Sequence, residues 1–175
     1  MATLLYFAYG SNMLTARLQA RCPSAKVRRV ATADNHSLAF FKRGQDGSGK
    51  ATLAPDTRVG QRVVGVVFEL DECELSQLDR FEGAGKGYDR IERFCVQTDD
   101  GTGKLEAFTY IASDGFLDPG LKPYDWYLRL VVAGAREHAL PEEYVAAIEN
   151  TQTAGDPVQD RPSRKEALAL LGGTW

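Results

Sequence analysis

Short strand-forming runs dominate the first 112 residues, and they do most to limit the folds open to this chain. Residues 4–9, 25–33, 36–43, 51–54, 62–70 (RVVGVVFEL), 88–97 (YDRIERFCVQ) and 105–112 (LEAFTYIA) are rich in apolar, aromatic and β-branched side chains, with turn signals between them. The Gly-rich segment 43–50 reads as a loop, and DDGTGK as the hairpin joining the last two runs, so the strands meander with antiparallel neighbours. Two helical patterns interrupt them. One covers residues 13–21. The other opens at Asp71, where Asp71-Glu72-Cys73-Glu74 resembles a capping box, and carries Leu75, Leu78 and Phe81 as a buried face until Gly83 ends it. Helical patterns then follow at 123–137, 141–149 and 163–171. The sum predicts an α+β fold, a sheet or closed barrel of mostly antiparallel strands with helices inserted and appended.

A chain of 175 residues supports one domain with a full core rather than two. We therefore expect a single domain over 1–175, with 150–175 as a C-terminal tail carrying a short helix. The 24 acidic and 21 basic residues are interspersed, giving a net charge of -3 without the basic footprint that nucleic acid requires. The small cluster Lys26-Val27-Arg28-Arg29 reads as a solvated strand edge. Cys22, Cys73 and Cys95 are odd in number and far apart, as in reduced thiols. No basic region precedes the first apolar stretch and no run has the length of a membrane span, so a cytoplasmic protein is expected.

Three chemistries are weighed and set aside. Gly44 to Lys50 fits the spacing of a phosphate loop, but Ala51 stands where a hydroxyl is needed and Pro55 forbids the helix that such a loop must open, leaving a mobile hairpin loop. Ser11 lies on a strand-to-helix turn, yet Tyr9 and Met13 occupy the outer positions of a nucleophile elbow, and His36 and His138 sit at a turn and at a helix end. The two histidines and the scattered carboxylates form no ligand pair at helical spacing.

Two features remain. At Gly10-Ser11-Asn12 the first strand hands over to the first helix. Ser11 or Asn12 is expected to cap that helix, while the turn's amides face outward, able to hold a carboxylate or a developing oxyanion. In Asp79-Arg80-Phe81-Glu82-Gly83 a carboxylate ends a helix, where the helix dipole opposes it, and a charge so misplaced suggests use.

"YFAYGSNM" and "LDRFEG" together resemble the γ-glutamylcyclotransferase family and its AIG2-like relatives, and "RVVGVVFEL" and "YLRLVVAGAREHALPEEYVAAIE" (127–149) extend the resemblance in the same order. It implies a small β-barrel with surrounding helices and a cavity at the YGSN turn. The implied reaction is attack of a substrate's α-amine on its own γ-carbonyl, releasing 5-oxoproline and a free amino acid or amine. Glu82 is the implied general acid/base. Tyr9, Gly10, Ser11, Asn12, Tyr88 and Tyr127 are candidates for substrate binding, and Tyr6 and Tyr110 for the cavity wall. The chemistry needs no nucleophilic side chain, cofactor or metal, because attacker and target belong to one molecule. The α-amine does need a base at neutral pH, and a carboxylate beside Phe81, partly buried, is expected to serve.

A non-catalytic module for a small acidic metabolite is the rival reading, disfavoured because a carboxylate repels such a ligand. A related acyl-cleaving enzyme of a biosynthetic pathway is another. Partners are then a small γ-glutamyl substrate and neither nucleic acid nor membrane. Leu168, Leu170, Leu171 and Trp175 either cover a second copy in a homodimer or fold back on the barrel.

Overall fold

The computed structural model describes residues 2–101 and 103–172. Its strands are β1 (Thr3–Ala8), β2 (Lys26–Asp34), β3 (His36–Arg43), β4 (Gly49–Pro55), β5 (Arg62–Asp71), β6 (Tyr88–Thr98) and β7 (Lys104–Ala112). The helices are α1 (Thr15–Arg21), α2 (Leu75–Glu82), α3 (Asp125–Glu137), α4 (Glu142–Glu149) and α5 (Pro162–Leu170). Five strands close into a barrel in the order β1-β5-β2-β6-β7. Every pairing in it is antiparallel except the closure, where Tyr6 on β1 meets Phe108 on β7 in parallel. The near-continuous apolar run of β5 follows from its place between β1 and β2, with Val63 to Phe68 buried on both faces. None of the described helices is long and apolar enough to cross a membrane.

Several expectations change. The β3–β4 hairpin stays outside the barrel as a two-stranded sheet of its own. The basic cluster, by contrast, lies at the start of β2, paired with β5 but ahead of the Ala31 and Thr32 positions where β6 meets the strand; Lys26, Val27 and Arg28 are exposed, and Arg29 pairs with Asp99 and Asp100 at 3.3 and 2.8 Å. The capping box does not form. Asp71 makes no side-chain cap, a 3-10 turn over Glu72–Glu74 precedes α2, and the Glu74 carboxylate accepts instead from the amide and hydroxyl of Ser24. Leu78 is fully buried and Leu75 packs on the core, but Phe81 is 54% exposed, with the Arg21 guanidinium 5.2 Å from its ring centre. Gly83 ends α2 in the left-handed region at φ 68°. All three cysteines are free, Cys22 buried and Cys73 and Cys95 exposed.

The tail folds back. Ala167 of α5 is fully buried and Leu170 and Leu171 pack against the core, while Trp175 lies outside the described residues. Asp156 fastens the segment ahead of α5 to α3. Its fully buried carboxylate accepts from Trp126 Nε1 (3.0 Å), from the Val158 amide (2.9 Å) and from two nitrogens of Arg161 (2.7 and 3.0 Å). The Arg161 hydrogen bond, above all, holds the Asp156 carboxyl down at about 2. A folded-state value below the unfolded one contributes stability above the unfolded value, near 3.8, that disappears as pH falls through about 2. Asp156→Asn is therefore expected to be less stable than the parent at neutral pH, with the difference in unfolding free energy narrowing between pH 4 and 2. A gap that stays constant across that range in denaturant titrations contradicts the assignment.

Candidate active site

Beyond β1 the chain makes a tight 3-10 turn over Ser11–Met13, closed by Met13 N–H to the Gly10 carbonyl at 3.0 Å. The polar residues of this turn are not helix caps, since no side chain caps either the turn or α1. Both are buried and bonded to other parts of the fold. Ser11 Oγ accepts from Arg17 Nε at 3.2 Å. Asn12 Oδ1 accepts from Arg21 Nη1 at 3.0 Å, and its Nδ2 donates to the Tyr6 hydroxyl (3.1 Å) and to Glu82 Oε1 (2.9 Å). Glu82, 70 residues along the chain, thus stands at the YGSN turn. Arg21 Nη1 donates to the same Oε1 at 2.7 Å.

This arrangement resolves the misplaced charge. A carboxylate on the last residue of α2 is opposed by the helix dipole and largely removed from water, and Arg21 on α1 supplies the counter-charge it needs, with only 11% of the Arg21 and 16% of the Glu82 side chain exposed. Asp79, one turn earlier, fixes the helix to the barrel wall. It accepts from the Tyr110 hydroxyl at 2.7 Å and pairs with Arg90 of β6. The helix therefore presents Glu82 from an anchored last turn.

A small inner chamber is lined by Tyr6, Tyr9, Tyr88, Tyr110, Tyr127, the turn Gly10-Ser11-Asn12, Ala51 and Glu82. All seven sequence-predicted site residues line it together. Two of the tyrosines have a further task. The Tyr88 hydroxyl donates to the Ala51 carbonyl (2.6 Å) and the Ala51 amide donates to the Tyr127 hydroxyl (3.1 Å), so both hold the β4 strand across the chamber mouth. Gly10 is small for the same reason. A Cβ there would stand 3.0 Å from the Ala51 Cβ, so part of the space expected for a ligand receives β4 instead. Burial, first of all, raises the Tyr6, Tyr9, Tyr88, Tyr110 and Tyr127 hydroxyls above the ordinary range, with the Glu82 charge adding to each. Neutral phenols can donate hydrogen bonds but cannot serve as bases. Glu82 is the carboxylate of this lining, and the Gly10, Ser11 and Asn12 amides have no backbone acceptor among the described residues.

The chamber opens into a cleft of about 620 Å³. Two segments to which the sequence assigned no part in the site build its outer wall. The 43–50 segment contributes Gly44, Gln45, Asp46 and Lys50, and the tail contributes Arg161, Pro162 and Ser163. The hairpin loop is internally tied, with Asp46 accepting from the Ser48 amide (3.0 Å) and hydroxyl (2.8 Å) and from Lys50 Nζ (2.7 Å). Arg17, Arg21 and Asp79 likewise escaped the sequence reading. The spacing of Arg17 and Arg21, i and i+4 on α1, was the available sign that both face one way. His36 and His138 lie elsewhere, bonded to the Asp34 carbonyl and to the Met13 carbonyl and Thr15 hydroxyl. No three His, Cys, Asp or Glu side chains gather as a metal set among the described residues.

Comparison with known proteins follows the same lines. The model of the AIG2-like family matches residues 62–148. Human gamma-glutamylcyclotransferase is 32% identical over 179 residues, covering 96% of this chain and 92% of that protein, and the bovine protein of the same name is 35% identical over 81% and 75%. A solved structure of a gamma-glutamyl cyclotransferase superposes with a TM-score of 0.84 at 28% identity, covering 96% of this chain and 99% of its own. With identity above 30% across most of both lengths, and with the barrel, the turn and the helix-end glutamate in place, the chain belongs to the γ-glutamylcyclotransferase family.

Proposed function

We propose that the chain is a γ-glutamyl cyclotransferase in which Glu82 moves the protons and the YGSN turn holds the reacting groups. The observation that carries this reading is the meeting of one carboxylate, Glu82 Oε1, with Asn12 at 2.9 Å in a chamber walled by neutral tyrosines. The chamber is only about 30 Å³, room for a water or two, so the γ-glutamyl group folds at its mouth, where Ser11, Glu82, Tyr88 and Tyr127 also line the cleft. Its α-amine then lies within reach of its own γ-carbonyl, and holding the two together replaces a bimolecular encounter by an internal one. Glu82 takes a proton from the α-ammonium, the freed nitrogen attacks the γ-carbon, and negative charge gathers on the carbonyl oxygen. The amides of residues 10–12, which have no backbone acceptor among the described residues, are available to that oxyanion or to the α-carboxylate. Collapse of the tetrahedral carbon breaks the bond to the departing nitrogen, which receives the first proton from Glu82; the carboxylate then takes the second proton from the attacking nitrogen and passes it on in the same way. Two protons leave the attacking nitrogen and two arrive on the departing one, so the balance closes with Glu82 recharged and no cofactor consumed.

Arg21 and Asn12 keep the carboxylate aimed at the chamber through their bonds to Oε1, leaving Oε2 for substrate. The products are 5-oxoproline and an amino acid or amine. Purified protein mixed with γ-glutamyl dipeptides is expected to release 5-oxoproline with one free amino acid per turnover. A protein that binds these compounds without consuming them fits the binding-module reading instead.

A further inference from the structure

Seven cationic side chains and two carboxylates line the outer cleft of a chain whose net charge is -3. Four of the seven are committed inside the protein: Arg21 to Glu82, Arg17 to Glu166, Lys50 to Asp46 and Arg161 to Asp156. Lys42, Arg80 and Lys86 make no ion pair among the described residues.

Lys42 is the unusual member. It is only 7% exposed, yet its ammonium has no hydrogen-bonded carboxylate among the described residues, and burying a cation without a partner is costly. What surrounds it is aromatic. Its Nζ lies 4.5 Å from the Tyr88 ring centre and 6.0 Å from that of Phe116, a modest compensation. The place is made for it by Gly87, where a Cβ would stand 2.9 Å from Nζ. A bulge between Ala39 and Lys42 adds a residue to β3, the device by which a strand re-aims a side chain. Burial lowers the Lys42 ammonium below the ordinary lysine range, and the charges of Glu82 and Asp46 act against that.

Lys42 lines the outer cleft but not the inner chamber. If the γ-glutamyl group sits at the chamber mouth, against Ser11, Glu82 and Tyr127, the rest of the substrate runs out along the cleft whose lining includes Lys42, so the part that Lys42 can meet is the departing one. We propose that Lys42, with Arg80 and Lys86 at the rim, forms an acid-binding subsite for the departing amino acid. The preferred substrates are then γ-glutamyl compounds whose departing amino acid carries a second carboxylate on its side chain. This rests on the cyclotransferase reading. Two carboxylates on the departing amino acid face three uncommitted cations, one of them desolvated and held in place by two rings, where a charged hydrogen bond discriminates most strongly.

Two substrates of nearly one shape test it: γ-glutamyl-glutamate and γ-glutamyl-glutamine. The parent protein is expected to favour the first in kcat/KM by about tenfold or more at low salt, as a charge-assisted bond predicts, with the preference shrinking as ionic strength rises. Lys42→Met is expected to lower turnover of the acid far more than of the amide, bringing their ratio near one. Equal kcat/KM for the two in the parent protein overturns the proposal, and so does a variant that lowers both by the same factor. Because the parent comparison needs no variant, it decides even if Lys42→Met fails to fold; Lys42→Gln then replaces it. No 5-oxoproline from either compound overturns the cyclotransferase reading itself, a result distinct from equal turnover of both.

Discussion

Glu82→Gln is expected to lower kcat for 5-oxoproline release about a thousandfold while leaving the fold intact, a loss of about 4 kcal/mol of transition-state stabilisation. The substitution keeps the shape of the side chain and an oxygen able to accept from Asn12 Nδ2 and Arg21 Nη1, so the turn, α1 and α2 retain their connection. What it removes is the ability to take up a proton from the α-ammonium. The tyrosines cannot substitute, because their hydroxyls are held neutral by burial and already engaged, Tyr88 with the Ala51 carbonyl and Tyr110 with Asp79. Circular dichroism and the thermal midpoint, measured beside the rate, separate a chemical loss from an unfolded protein. A folded variant within tenfold of the parent removes Glu82 from the mechanism.

Gly134→Ala is expected to destabilise the protein by about 2–3 kcal/mol, lowering Tm by roughly 5–10 °C for a chain of this length. In an isolated helix the same change gains about 1 kcal/mol, because Ala is the better helix former. Here the added Cβ would stand 2.7 Å from both the carbonyl carbon and the Cβ of Met13 and closer still to the Leu14 amide nitrogen. Two of those atoms are main chain and cannot rotate away. Either α3 retreats or the turn that carries Ser11 and Asn12 moves, and the second outcome shifts Asn12 from Glu82. A fall in kcat accompanying the fall in Tm is therefore expected. A variant more stable than its parent shows that helix propensity prevails and that α3 and the turn have room to spare.

Much of the chain could be read locally. The β5 run, the DDGTGK connection between β6 and β7 and the glycine at the end of α2 depend on near neighbours in sequence, and all lie where their patterns placed them. The errors came where a side chain had two uses. Ser11 and Asn12 have the chemistry of helix caps and are buried ligands of Arg17, Arg21 and Glu82 instead. Glu74 fits a capping box and instead accepts from Ser24, 50 residues away. Phe81 fits the apolar stripe of α2 and lies outside it, beneath Arg21. Each is a local preference overruled by a partner distant in sequence.

The sequence by itself determined the kinds of element, the turn that opens the site and the carboxylate proposed to act in it, because strand alternation, helix spacing and turn chemistry act over a few residues. Only the tertiary structure decided what Glu82 touches, why Gly134 must lack a side chain, and that the 43–50 segment, the tail and Lys42 line one cleft. The reason is distance along the chain: Asn12 and Glu82 are 70 residues apart, and closure of the barrel fixes their separation where no local rule can.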